Sequence, residues 1–400
     1  MLTRVYDAVV AGGGAAGIAT VGALLHFKPQ LNVAWVDPDF RGGRISKKYR
    51  DVSSNTKVRL FADYANALEP FQQIIRSTPK PNAMTVMAEL DQNRGCQLHY
   101  AADMLQMLTG GLWKMTNVDA YFGRLSSVNR PDSLWSARLN LNSGAISSSN
   151  SAAAIGTSTI GALRAHRLIV CTGSSPTTLA LPTTKPETLD LDDCLDRQAL
   201  RDLLPTDKDI TIGIIGTSHS AIVLIMNLYE LATSTHPRLK MRWFVRSELT
   251  YAQEMDGWIL RDNTGLKGAS ADFAREHLEE NSLKDSPVRP YLAKVDCPDA
   301  ADPKMKPELE KCTHIVQAIG FSRSDTMPKV SVDGKEVQGL GWNPETGALT
   351  DGKGAGLPQA FGAGIAFPER VKGPHGNVEH AVGMWKFMRY LKRTVPTWVE

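Results

Sequence analysis

Residues 6–17, YDAVVAGGGAAG, constrain this chain more tightly than any other stretch. A short apolar run with strand character, Tyr6–Ala11, enters a glycine-rich turn that opens directly into an apolar helical segment, Ile18–Phe27. In such a turn Gly12 permits the sharp bend, Gly14 lets the backbone approach a pyrophosphate, and Gly17 lets helix and strand pack closely. The N-terminus of the helix then faces the anion. A second strand, Leu31–Val36, leads to Asp37, about 20 residues past the last glycine, where a carboxylate suits a ribose diol and repels a 2′-phosphate. The alternative is a helix-capping glycine cluster in which Asp37 merely caps a turn.

The unit has an echo about 200 residues further on. Strand Ile210–Ile215 feeds the turn Gly216-Thr217-Ser218-His219-Ser220-Ala221 and a helix running to Leu231. Ser218 replaces the middle glycine, so the backbone approaches a phosphate less closely, but the hydroxyls of Ser218 and Ser220 can donate to it. The next strand, Met241–Val245, ends at Arg246, where a guanidinium can clamp a 2′-phosphate and favour NADPH over NADH. The alternative for Arg246 is a solvated strand-end residue, with Arg238 and Arg242 on the same face.

With 400 residues the chain exceeds the size at which one core stops growing, so two domains are expected. The expected fold is α/β: two Rossmann-like dinucleotide-binding domains, the second (residues 206–324) inserted in the first (residues 1–205 and 325–400). Ala101–Thr109 reads as helix. Asp119–Leu141 alternates like a meander with its turn at Pro131-Asp132. Ser143–Thr159, rich in Ser and Ala, reads as a flexible surface hairpin loop, Leu163–Cys171 and Thr313–Ala318 as strands, and Pro182–Pro205 as an acidic connector. The last 70 residues, returning to the first domain, end in an amphipathic helix around Val378–Leu391. The 45 basic and 42 acidic residues are interspersed, without the basic stripe a nucleic-acid partner demands. Five scattered cysteines, without a CxxC pair, suit reduced thiols and leave out a redox-active disulfide. The apolar N-terminus is interrupted by glycines and followed by a second strand, unlike a signal peptide, and no apolar run of about 18 residues follows, so a cytoplasmic protein without a membrane anchor is expected.

Gly12–Gly17, Asp37, Cys171-Thr172-Gly173-Ser174, Gly216–Ala221 and Ala318-Ile319-Gly320-Phe321 together resemble the two-dinucleotide-binding-domain flavoproteins, in order and spacing along nearly all of the chain. The resemblance implies that FAD lies on the first domain and NADPH on the second. It implies that the turns at Thr172-Gly173 and Gly320 are the crossings between domains. It also implies a glycine turn, here Phe361-Gly362-Ala363-Gly364, beside the flavin ribityl and pyrophosphate; Ile365 stands where an aspartate is usual, so contact at Gly364 rests on backbone donors. Arg44 completes the cofactor set. Within that family the chain is similar to class B flavin-dependent monooxygenases, the flavin-containing and N-hydroxylating enzymes. The carrying stretch is YRDVSSNTKVRLF, Tyr49–Phe61, in which Asn55 occupies the place of an asparagine beside the flavin. The FxGxxxHxxx(Y/W) signature of that group is absent, and the corresponding connector reads Glu187 to Cys194, ETLDLDDC.

Monooxygenation through a C4a-peroxyflavin needs a dry pocket and a donor that keeps the peroxide from collapsing to H₂O₂. Asn55 can supply the donor; its alternative role is an Asx-turn in the loop after Ser53-Ser54. Lys57 and Arg59, charged at every second position, read as a solvated face. His375, in the turn Gly373–Gly376 before the last helix, is a candidate proton relay beside the flavin pyrimidine, or a turn residue bonded locally. No H-x-E or HExxH spacing suggests a metal. Trp385 and Phe387 read as core. Three functions compete: an NADPH-dependent monooxygenase using O₂ on a small nitrogen or sulfur nucleophile, an NAD(P)H-dependent flavin reductase or oxidase favoured by the missing histidine signature, and a non-catalytic FAD-binding interaction protein. A homodimer is compatible with each.

Overall fold

The apolar runs that lead into the two glycine turns become the central strands of two separate sheets, the first mixed and ten-stranded, the second parallel. The computed structural model describes residues 4–142, 160–297 and 302–400. The expected loop at 143–159 lies outside the described residues. In the first sheet the parallel strands are ordered Lys329–Val332, Val118–Arg130, Val33–Asp37, Val5–Ala11, Ile160–Val170 and Gly356–Gly362. Val5–Ala11 sits in the middle, with Ala8, Val9 and Val10 fully buried, as expected of a strand covered on both faces. The strand pair Val118–Arg130 and Trp135–Leu141 forms the expected meander, the second strand also pairing antiparallel with Ile160–Val170.

The helix Ala15–Phe27 is apolar on every side because it is covered on every side. It is buried from Ala15 through Leu25, with the sheet beneath it and the helices Leu98–Leu112 and Met384–Trp398 against it. Leu24 and Ile18 are fully buried in this core, together with Trp35, Phe71 and Met388. The second sheet orders its parallel strands Leu292–Asp296, Leu239–Val245, Ile210–Ile215, His314–Gln317 and Glu187–Thr188. Its core is built on Ile212, Ile214, Leu224, Leu228 and Trp243.

The crossings lie side by side. Ser174–Pro176 and Phe321–Arg323 pair antiparallel, and Gly173 accepts the amide of Ser324 at 3.2 Å while Gly320 accepts that of Thr177 at 2.9 Å.

Two stretches differ from their sequence reading. The connector is folded: Leu191–Leu195 and Arg197–Leu203 are short helices whose N-caps, Asp190 and Asp196, accept backbone amides with their side chains. Two of the acidic residues that suggested a linker are these caps, and Asp192 and Asp193 pair with Arg44 and Lys48. The last helix starts at Met384, not near Val378; Val378–Ala381 is a strand paired with Glu369–Lys372, and Gly383 at φ +141 ends the extended run. Trp385 and Phe387 are only half-buried, and Phe387 faces the cleft described next.

Candidate functional site

The first glycine turn, with His219 and Ser220 of the second, borders one cleft of about 600 Å³, in the usual range for a cofactor pocket. In the first turn Gly12 has φ +117, and a side chain there would meet the Cys171 carbonyl oxygen at 2.3 Å; one on Gly17 would meet the Gly12 oxygen at 1.9 Å. Gly14 differs. A Cβ on it meets only Gly43, at 3.9 Å, because it faces the cleft. Among the described residues no side chain caps the helix that follows, so its first-turn N–H groups are open to a ligand.

Asp37 is nearly buried and lines the cleft. Its Oδ2 accepts the Gly13 amide at 2.6 Å, and its Oδ1 accepts those of Phe40 at 2.7 Å and Asp39 at 3.0 Å. Burial raises the carboxyl's pKa, and the Phe40 and Gly13 amides and the charges of Lys47 and Arg124 oppose that rise. The turn-capping role and the cleft-facing role therefore coincide in one side chain. Thr172 and Gly173 form the opposite wall, and Thr172 Oγ1 is buried without a hydrogen-bond partner among the described residues. Gly364, at φ +87, meets the start of the first helix so closely that a Cβ would lie 2.5 Å from that of Ala16. An orphaned hydroxyl, an uncapped helix and a late glycine turn against its N-terminus fit a pyrophosphate-linked flavin. Arg44 borders the same cleft, but its guanidinium is paired with Asp192, and Tyr49 Oη donates to that carboxylate at 2.6 Å.

The second turn repeats the first with looser geometry. Gly216 has φ +130, and a Cβ there would meet the Ala318 oxygen at 2.3 Å. Ser218 is exposed at the N-cap of helix His219–Ser234, where it makes no capping bond and approaches the Ala318 carbonyl at 3.4 Å. Ser220 and His219 line the cleft. Arg246 is exposed at its strand end with no ion-pair partner among the described residues. Its neighbours are committed: Arg242 pairs with Glu308, and Arg238 donates to the Asp207 carbonyl at 2.8 Å. Gly320, φ +113, lies at the crossing rather than on the cleft wall.

Asn55 lines the cleft from the first sheet's side. The Asx-turn alternative is not adopted, since Ser54 closes that turn: its Oγ accepts the Thr56 amide at 2.9 Å. Asn55 Oδ1 receives only the Thr56 hydroxyl, at 3.3 Å, and the side-chain amide N–H groups have no partner among the described residues. His375 is not brought to this site. It sits exposed at the tip of the hairpin formed by Glu369–Lys372 and Val378–Ala381, edge-on to Trp258 at 4.9 Å, because the chain turns through that hairpin before the last helix begins. Val382, Gly383 and Met384 take the helix start to the cleft instead.

Lys48 on the cleft wall, and several ion-pair residues away from it, carry no sequence motif. Lys48–Asp193 at 2.6 Å joins the basic helix Arg44–Lys48 to the acidic Leu191–Leu195, two charge runs whose complementarity was the available signal. Lys386 reaches Asp262 and Asn263, each at 2.6 Å, and Lys267 holds the same Asp262 at 2.8 Å. The Lys386 contacts tie the last helix to the 262–267 segment of the second lobe.

No protein-family model matches the chain. Monooxygenase AgnR1 of Paecilomyces divaricatus is 44% identical over 397 residues, covering 98% of this chain and 97% of that protein. Among solved structures, the ornithine N-hydroxylase KtzI of Kutzneria sp. 744 aligns with 99% of both chains at TM-score 0.59 and 13% identity. DfoA, the cadaverine monooxygenase of Erwinia amylovora, aligns with 80% of this chain and 79% of its own at TM-score 0.54 and 13% identity. Those two likenesses concern the fold, a pair of Rossmann-type lobes. At 44% identity along nearly the whole of both sequences, the chain belongs to the same monooxygenase family as AgnR1, on the fold of the two-dinucleotide-binding-domain flavoproteins.

Proposed function

We propose that this protein is an NADPH-dependent FAD monooxygenase that inserts oxygen into a small nucleophilic nitrogen or sulfur compound. The observation that carries the reading is that the first turn, the Asn55 loop and Ser220 of the second turn line a single cleft. Gly12, Gly14, Gly17, Asp37, Thr172, Gly173 and Gly364 would hold FAD; Ser218, Ser220 and Arg246 would hold NADPH. Bound FAD would accept a hydride from NADPH and activate O₂ for transfer to an electron-rich atom. The chain's own part is electrostatic and steric. Asp37 accepts ribose hydroxyls with the lone pairs its three backbone donors leave free. The uncapped helix ends neutralise phosphate, Arg246 pairs with a 2′-phosphate, and the free Asn55 amide offers a donor where oxygen is activated.

A second reading, NAD(P)H-dependent flavin reductase or oxidase, is favoured by the sequence ETLDLDDC where the histidine signature would stand. This segment holds Asp192 for Arg44 and Tyr49. The deciding measurement is hydrogen peroxide released per NADPH consumed by the yellow, FAD-loaded protein, across a panel of primary amines, hydroxylamines and thiols. A ratio falling well below one with any of them supports oxygenation. A ratio of one across the panel overturns it in favour of the second reading.

A further inference from the structure

His219 interrupts the second turn with an imidazole where the first turn has only Ala15. Its Nδ1 lies 2.8 Å from Ser270 Oγ. Ser270 is buried and sits 3.0 Å from the Lys267 carbonyl, in the first turn of helix Gly268–His277. The same ring faces the Ser53 carbonyl of the other lobe. The contact is backed by packing: a Cβ on Gly268 would stand 3.4 Å from the Ser54 oxygen and 3.9 Å from Asn55 Cα. Ser53, Ser54, Asn55 and His219 all border the cleft. Burial pushes the imidazole down to about 4, with the Lys267 charge acting in the same direction and the Ser53 carbonyl against it, so the ring is neutral near pH 7.

We propose that His219 is a positioning residue for Asn55: bonded to Ser270 on the helix whose Gly268 packs against Ser54 and Asn55, and bordering the cleft with Ser53, it ties the Ser53–Asn55 loop of the first lobe to the second turn. The inference rests on the reading above that Asn55 acts in the cleft. It goes further by making the loop's order depend on a residue of the other lobe. Asn55 has one weak local contact of its own, the Thr56 hydroxyl at 3.3 Å. Its place in the cleft is therefore set by what holds its backbone. From the first lobe that is Ser54, whose amide donates to the Cys96 carbonyl at 2.8 Å. From the second lobe it is His219 and Gly268. A leucine fills the same volume without either polar contact, whereas a glutamine keeps one donor and one acceptor.

The test uses FAD-loaded protein with His219→Leu and His219→Gln, each alone and combined with Asn55→Ala. The first readout is amide hydrogen exchange in residues 52–56. His219→Leu should speed it roughly two- to tenfold, the change expected from one lost hydrogen bond, and His219→Gln should restore it. The second readout is peroxide released from NADPH and O₂ without added substrate. His219→Leu should raise it, and the double variant with Asn55→Ala should release no more than Asn55→Ala alone, because His219 acts through Asn55. Unchanged exchange in His219→Leu, failure of His219→Gln to restore it, or additive peroxide release overturns the inference. A wild-type peroxide rate in Asn55→Ala alone removes Asn55 from the chemistry, and the tie then stands or falls on hydrogen exchange.

Discussion

Replacing Asp37 by alanine removes three backbone hydrogen bonds at once, and the structure turns what looks like a ligand contact into a folding contact as well. The amides of Gly13, Asp39 and Phe40 lie 2.6, 3.0 and 2.7 Å from the carboxylate, which is 7% exposed. A hydrogen bond to a charged group contributes about 1.5–3 kcal/mol, which makes about 5–9 kcal/mol an upper bound for three. The cost of dehydrating this carboxylate, visible in its raised pKa, offsets part of that. Water entering at the cleft edge recovers more, so about 3 kcal/mol is expected for Asp37→Ala. Asp37→Asn separates the two roles. It can keep an oxygen for Phe40 and Asp39 but turns an NH₂ toward the Gly13 N–H, losing one bond, about 1.5 kcal/mol, and one ribose acceptor. Urea unfolding of the FAD-free proteins measures the first role, and fluorescence titration with FAD measures the second. Wild-type stability in Asp37→Ala would refute the folding argument. Wild-type FAD affinity in Asp37→Asn would refute the ribose assignment.

Three further outcomes are expected. Arg246→Ala should lower the preference for NADPH over NADH by roughly tenfold, the low end for a charge-assisted contact because the side chain is exposed; with Arg242 and Arg238 engaged elsewhere, steady-state KM values for both coenzymes should show no compensating clamp. Asn55→Ala should leave NADPH-driven flavin reduction nearly intact and raise peroxide per NADPH, and an unchanged ratio would remove Asn55 from the site. Burial raises the Asp262 carboxyl, but the ammonium groups of Lys267 and Lys386 outweigh it and hold its pKa below the ordinary value. A depressed folded-state pKa means stability that is present above the ordinary carboxylate pKa of about 4 and is lost as pH falls through the folded value. The stability gap between wild type and Asp262→Asn, followed by chemical denaturation, should therefore narrow below about pH 4, and a gap constant down to pH 2 would refute the pairing. Lys386 is more deeply dehydrated and its own pKa falls, so the net stabilisation at neutral pH is modest.

What the sequence made legible follows from how far apart the cooperating residues lie. Gly12 and Gly17 announce their turn because steric need is local: each must be glycine for reasons contained within the turn or in the adjacent strand end, Cys171, whereas Gly14 is open toward the cleft. The strands Val5–Ala11 and Ile210–Ile215 were readable because a strand covered on both faces is apolar without interruption. Polar residues misled in both directions. The Asp-rich 190–196 stretch resembles a linker by composition, yet two of those carboxylates start helices and one receives Arg44 from about 150 residues away, a relation no window of sequence contains. The spacing Val378, Ala381, Met384, Met388 reads as a helical stripe, but the first two belong to a strand, and Gly383 sets the boundary through a backbone angle rather than a side chain. His219 was invisible for the same reason as Asp192. Its partner Ser270 is 51 residues on, and the loop it faces is in the other lobe. Motifs thus report where a ligand's phosphates can sit, because that is backbone geometry. The placement of Asn55 over the same cleft depends on contacts between lobes, and these exist only once both sheets have formed.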